Sequence, residues 1–376
     1  MTGPMNAASR EPVPRVASIA VLRPNQVGDF MFALPALAAL RETYPAARIV
    51  YLGRAWHKEF LEGRTPLIDE VVVLPPIPGV GAPPDAVVDE DAVESACEAL
   101  RRRNFDIAFQ FYGGGRHSNP FVRRLGARLT VGVRAGDAEP LDRWLPYVPW
   151  HNERLRLLET VGLTGARPVD LQPLLPVLPR DRAELAKRLR LPADRPLVVL
   201  SPGATDPRRI WPVEKFAAVA DEFVRMGACV VVQGGGPDDR RLSASVVAAM
   251  SEPAIDAGGV LTLDGLAALL HRARLVLASD SGPLQMAQAV GTPAVGIYWF
   301  VNLLVSGPLT SYQNRCAASL RRACPVCGED NLTRRCKHDP SFVDDVSVEE
   351  VSALALELWK LGEAASSPSR LPAILR

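Results

Sequence analysis

The chain has 376 residues, 48% of them hydrophobic and 23% charged, with 43 Lys plus Arg against 42 Asp plus Glu and a formal net charge of +1. At roughly 100–200 residues per domain this length predicts two globular domains. The charge balance leaves neither the basic excess of a nucleic-acid binder nor the acidic tail of a charged partner, and no apolar run nears the ~20 residues of a spanning helix.

In chain order, Met1–Pro14 is rich in proline and small residues and is expected to be disordered. It lacks the apolar core of a signal peptide, so the chain is expected in the cytoplasm, with its six cysteines reduced or metal-bound. Val16–Leu22 reads as a buried strand, Pro24–Asp29 as a turn and Phe30–Leu40 as a helix. Further strands fall at Arg48–Leu52, Val71–Leu74, Ile107–Phe111 and Leu129–Val133, with a helix at Ala92–Arg103. Arg101, Arg102 and Arg103 read as the solvated end of that helix. Residues 140–179 carry many prolines and are expected to cross between domains in extended form. Trp144, Leu145, Tyr147 and Trp150 in this stretch suit packing between domains, or a peripheral membrane contact.

The second half alternates more regularly. Strands are predicted at Leu197–Leu200, Cys229–Gln233, Leu275–Ala278 and Ala294–Tyr298. Helices are predicted at Arg180–Leu191, Glu214–Met226, Arg240–Met250, Leu263–Arg272, Gly282–Val290 and Val348–Leu361. Such alternation implies doubly wound α/β domains, here 15–175 and 176–376. Ligands of open α/β sheets bind beyond the carboxyl ends of the strands, so the loops directly after strands matter most.

Four such loops carry chemistry-bearing residues. Gly28-Asp29 follows the first strand, where Asp29 is either a functional carboxylate or a helix cap. Ser201–Pro212 offers small residues, the hydroxyls of Ser201 and Thr205, and the cations Arg208 and Arg209. These can hold a phosphate through backbone N–H groups and a guanidinium fork, or merely lead into a helix at Pro212. Gln233–Asp239 places Gly234, Gly235 and Gly236 after a strand, with Asp238 or Asp239 able to accept from a ribose hydroxyl or to cap a helix. Ser279–Pro283 brings Ser281 and Gly282 to a helix start that suits a diphosphate. Asp280 would repel phosphate, and it sits better on a sugar hydroxyl or a backbone N–H.

Val21-Leu22-Arg23-Pro24-Asn25-Gln26-Val27-Gly28-Asp29, followed by Leu34-Pro35-Ala36-Leu37, resembles the opening of glycosyltransferase family 9, the heptosyltransferases. The resemblance continues through Trp211-Pro212, Gly234–Asp238, Leu266–Leu270, Asp280-Ser281-Gly282-Pro283 and Gly291–Val295, in order and spacing, across Val16 to Pro308. It implies the GT-B fold, two facing Rossmann-like domains with the acceptor in the first and the nucleotide sugar in the second. It also implies inverting transfer without a catalytic metal or other cofactor, with ADP-heptose as donor and a glycan or lipid-linked acceptor such as lipopolysaccharide core. By the same resemblance Asp29 is the base, Arg209 binds diphosphate, and Asp280, Ser281 and Gly282 bind the donor; the loop reading adds Ser201, Thr205, Gly234 and Asp238 to the donor site. Many members carry Lys at the Arg209 position, and Trp299–Asn302 replaces the family's usual Gly-Pro turn.

Cys324-Pro325-Val326-Cys327-Gly328 has the form of a zinc knuckle, and Cys336 and His338 follow. Four of Cys316, Cys324, Cys327, Cys336 and His338 are expected to hold a structural zinc, with Cys316 or His338 as the fourth ligand. The alternative is a set of reduced thiols. Two rival functions share the architecture: a sugar-nucleotide epimerase and a non-catalytic sugar-nucleotide-binding module. The epimerase is disfavoured because Gln285 and Gln288 stand where such enzymes place an acid after the turn.

Overall fold

The computed structural model describes residues 11–366. Most of the segment expected to be disordered lies outside the described residues. Of its end, Val13 is held by a 3.0 Å hydrogen bond from its N–H to Tyr44 Oη. The chain divides into two compact units, the first ending at Pro176 and the second starting at Val177.

The first unit opens with β1 (Ser18–Leu22), α1 (Val27–Thr43), β2 (Arg48–Gly53), α2 (Ala55–Leu61) and β3 (Glu70–Val73). A minimal pair, β4 (Ile77–Pro78) and β5 (Gly81–Ala82), precedes α3 (Glu90–Arg101), β6 (Ile107–Gln110), α4 (Ser118–Arg124), β7 (Leu129–Arg134), β8 (Arg143–Pro146) and α5 (Glu153–Gly162). The six-stranded sheet has the order β3-β2-β1-β6-β7-β8, every pair parallel. Its central strands are apolar on both faces because helices cover both sides; Ile19, Val21, Ile107 and Phe109 are fully buried.

The stretch expected to cross between domains is corrected here. Residues 143–162 instead complete the first unit with β8 and α5. Asn152 caps α5 by accepting from the Arg154 N–H at 3.1 Å. The helix then packs on α1, with the Arg154 guanidinium 4.8 Å from the Phe32 ring centroid. The prolines that suggested a linker flank these elements without interrupting the helix. Trp144, half-exposed on β8, stacks under Arg134 at 5.0 Å.

The second unit runs α6 (Pro179–Arg188), β9 (Leu197–Ser201), a 3-10 turn at Pro207–Arg209, α7 (Val213–Arg225), β10 (Cys229–Val232), α8 (Pro237–Ala249) and β11 (Ala254–Asp256). It continues with α9 (Leu263–Arg272), β12 (Leu275–Ser279), α10 (Gly282–Ala289), β13 (Ala294–Trp299), α11 (Phe300–Ser306), β14 (Asn314–Ser319) and α12 (Val348–Ser366). The sheet order is β11-β10-β9-β12-β13-β14, again parallel throughout. Both sheets therefore reverse direction beside their first strand, the switch point at which open α/β sheets bind ligands. Trp211 is completely buried and donates from Nε1 to the Val346 carbonyl at 3.0 Å, tying the loop after β9 to the segment before α12. Trp299 ends β13 and packs on Phe342, with ring centroids 4.9 Å apart. Among the described residues no helix is long and apolar enough to cross a membrane.

Candidate functional site

In the first unit, Asp29 lies in the first turn of α1, directly after β1. Its carboxylate accepts from the Gln26 N–H at 3.3 Å and stands 3.5 Å from Arg23 Nη2. Arg23 is buried behind it. The Nε of Arg23 donates to the Asp29 carbonyl at 2.7 Å, and its Nη1 pairs with Glu153 at 2.9 Å. Burial lowers the pKa of Arg23, and the negative charge of Asp29 opposes that shift. The side chain of Asp29 stays 35% exposed. The result is a carboxylate that is oriented from behind and open in front.

In the second unit the loops after β9, β10 and β12 converge on a cavity of about 350 Å3. Ser201, Thr205, Gly234, Asp238, Ser281 and Gly282, all expected at a donor site, line it together. Gly234 has a steric reason to be glycine: an added Cβ would meet the Asp239 carbonyl oxygen at 2.6 Å. Two helices, α8 and α10, begin at this cavity with Pro237 and Pro283 in their first turns. Their unpaired N–H groups and positive dipole ends favour an anion there. Gln233, which the sequence reading did not single out, lines the cavity and donates from Nε2 to Ser201 Oγ at 2.5 Å.

Arg209 and Asp280 behave differently from the other expected donor residues. They form an ion pair with each other, Arg209 Nη1 to Asp280 Oδ2 at 3.1 Å. Asp280 also accepts from Ser306 Oγ at 2.9 Å and Gln285 Nε2 at 3.4 Å. Within the protein, the Asp280 carboxylate is thus held by three side-chain donors rather than by a backbone N–H. Burial raises the pKa of Asp280, and Arg209 holds it back. The Nε of Arg209 is buried and meets no hydrogen-bond partner, and its side chain is still 19% exposed.

The third feature is the cysteine knuckle. The ligand atoms of Cys324, Cys327, Cys336 and His338 lie within 4.8 Å of one another, a group able to hold a metal ion. The turn is closed by the Gly328 N–H donating to the Cys324 carbonyl at 2.8 Å and the Cys324 N–H to the Glu329 carbonyl at 2.9 Å. Gly328 has φ +75°, the left-handed conformation such a turn needs. A hydrogen bond from Asn331 holds the Cys336 thiol down at about 6. The Nδ1 of His338 is buried without a geometric hydrogen bond. Of the two candidates for the fourth position, His338 is the one the fold brings into this group. Cys316 lies on β14 beside Gly296, because strand pairing holds it in the sheet, and it is not part of the group.

Two parallel sheets of this order, with a glycine-walled cavity at one switch point and an oriented carboxylate at the other, define a protein of two Rossmann-like units. The profile of glycosyltransferase family 9 (heptosyltransferase) matches residues 93–332, and the chain belongs to that family. It is a glycosyltransferase of the heptosyltransferase type and GT-B fold class. Lipopolysaccharide heptosyltransferase 2 of Escherichia coli is 25% identical over 300 residues, covering 74% of this chain and 82% of that relative. Among solved structures, a family 9 glycosyl transferase from Veillonella parvula superposes with TM-score 0.74 at 22% identity, covering 92% of this chain and 97% of that one. The ADP-heptose lipopolysaccharide heptosyltransferase II of E. coli gives 0.71 at 20% identity, covering 92% and 99%.

Proposed function

We propose that the chain transfers heptose from ADP-heptose to a hydroxyl of a glycan acceptor such as lipopolysaccharide core, inverting the anomeric centre without a catalytic metal. The observation that carries this reading is the cavity walled by Gly234 and flanked by the N-termini of α8 and α10. A nucleoside diphosphate carries its charge where those helix ends offer N–H donors. Asp238 and Asp239, also at the cavity, are acceptors for ribose hydroxyls. The second unit is then the donor domain and the first the acceptor domain.

In this mechanism Asp29 takes the proton of the acceptor hydroxyl. The freed oxygen attacks the anomeric carbon from the face opposite the diphosphate. The new C–O bond forms as the bond to the diphosphate oxygen breaks, and the nucleoside diphosphate leaves with the electron pair. The helix ends and the Arg209 charge stabilise the negative charge that builds on it. Asp29 is oriented for this step by the Gln26 N–H and by Arg23 behind it.

Cys324, Cys327, Cys336 and His338 would hold a structural zinc, which would tie the knuckle's turns together. A lipid-linked acceptor would place the chain peripherally at the cytoplasmic membrane face, and flotation with anionic vesicles tests that contact. The experiment that decides the function is calorimetry with ADP followed by product analysis with ADP-heptose. A glycosylated acceptor supports the transferase reading. Free epimerised sugar refutes it in favour of an epimerase, and ADP binding without any product refutes it in favour of a binding module.

A further inference from the structure

The cysteine knuckle and the loop after β9 share one chain of hydrogen bonds. Asn331 stands between them. Its Nδ2 donates to Cys336 Sγ at 3.5 Å and to the Glu329 carbonyl at 3.1 Å, while its Oδ1 accepts from Arg208 Nη1 at 3.0 Å. Arg208 in turn grips the Asp206 carboxylate, with Nε at 3.0 Å and Nη2 at 2.5 Å. Asp206 accepts from the Arg208 N–H at 3.1 Å and so caps the 3-10 turn whose last residue is Arg209. The Arg208 carbonyl accepts from the Phe342 N–H at 2.7 Å, which leaves the turn little freedom at its back. At the front, Thr205 of the same loop lines the cavity.

We propose that metal bound at the knuckle acts on the nucleotide cavity through Asn331, a positioning residue that sets the Asp206–Arg209 turn to receive a nucleoside diphosphate. The proposal rests on the zinc and donor readings above. Its physical basis is the two-faced amide. A metal-bound thiolate only accepts hydrogen bonds, so Cys336 holds the NH2 end of Asn331 toward sulfur and leaves its oxygen for Arg208. Without metal the knuckle loses the bonds that couple its folding to its ligands. The orientation of Asn331, and the support it gives Arg208, go with them.

The test is ADP calorimetry, with zinc content and melting temperature, on the full chain and on Asn331→Ala, each as purified with zinc and after chelation. Zinc-loaded wild type is expected to bind ADP about tenfold more tightly than chelated wild type, as for one hydrogen bond to a charged group. Asn331→Ala is expected to keep about one zinc per chain, as a single tetrahedral site requires, and to bind ADP no better than the chelated wild type. Chelation should weaken it no further, and restoring zinc should rescue only the wild type. An ADP affinity indifferent to zinc overturns the coupling, and so does an equal loss on chelation in both proteins. If the chelated chain unfolds, the zinc-loaded variants decide. Zinc-loaded Asn331→Ala should then bind ADP about tenfold more weakly than zinc-loaded wild type at equal zinc content and melting temperature; equal ADP affinity in the two overturns the proposal. A chain that takes up no zinc refutes the metal reading, and a zinc-loaded chain that ignores ADP refutes the donor reading. Either result is distinct from failure of the coupling, and either also removes it.

Discussion

Each unit places an arginine and an aspartate at its switch point, but the two pairs are turned inside out relative to each other. In the first unit the arginine is the buried member: the side chain of Arg23 is 1% exposed and that of Asp29 35%. In the second, the aspartate is buried: Asp280 is 4% exposed and Arg209 19%. The same ion pair on the same strand order therefore offers a carboxylate in one unit and a guanidinium in the other. The topology chooses where a site forms, and the burial of one partner chooses which charge is offered. A base is wanted in an acceptor domain and a cation in a diphosphate-binding domain, which is the division of labour proposed above.

The largest expected effect breaks the first pair. Asp29→Asn keeps the shape and the cap but removes the base, and should cost about 10²–10⁴-fold in kcat with ADP affinity unchanged. If Asp29 is only a cap, Asn is nearly silent and Ala lowers the melting temperature instead. Kinetics of both variants, with melting curves, separate the two accounts.

Breaking the second pair should show in stability as well as in binding. Arg209→Ala strands the buried Asp280 carboxylate and is expected to destabilise the chain by about 3–5 kcal/mol. ADP affinity should fall by about 1.5–3 kcal/mol. Arg209→Lys should restore most of the stability but less of the affinity, since an ammonium lacks the planar fork. Full ADP affinity in Arg209→Ala, measured by calorimetry, would remove this residue from the donor site.

A smaller loss is expected where the cavity depends on backbone alone. Gly234→Ala drives a methyl against the Asp239 carbonyl, at a cost of about 1–3 kcal/mol in melting experiments. ADP affinity should fall alongside, because Asp239 lines the same cavity.

The smallest effect distinguishes the first unit by pH. His57 is buried against Trp56 and pushed down to about 3, by desolvation first and by the charges of Arg54 and Arg23 next. The fold thus favours the neutral ring. Its contribution is complete above the ordinary value of 6.5 and is lost as pH falls toward about 3. At pH 5.5 the loss should be about 1.4 kcal/mol, one pH unit of linkage. His57→Gln should flatten the melting temperature between pH 6.5 and 5, and an unchanged slope would assign the acid sensitivity elsewhere.

Much of this arrangement was legible in advance where physics is local. The central strands announced themselves because parallel strands covered on both faces are continuous apolar runs, such as Leu197–Ser201 and Leu275–Ser279. Gly234 after β10 and the Gly282-Pro283 start of α10 marked close backbone approach and a helix N-terminus from the sequence alone. The elements that escaped were α5 and a set of short or edge pieces: α2, β4, β5, α4, β8, α11, β11 and β14. Proline density hid β8 and α5, because composition cannot tell prolines that flank elements from prolines that replace them.

Sequence by itself determined the alternation of strands and helices, the loops that carry glycine, hydroxyl and carboxylate, and the Cys-x-x-Cys turn, since each depends on residues within a few positions of one another. Only the tertiary structure decided that Arg209 pairs with Asp280, 71 residues away. The same holds for His338 rather than Cys316 joining the three cysteines of the knuckle, and for Asn331 joining the knuckle to Arg208, 123 residues away. The reason is that charge and hydrogen-bond energies depend on distance and burial in space. Neither can be read from position along the chain until packing has brought the partners together and removed the water between them.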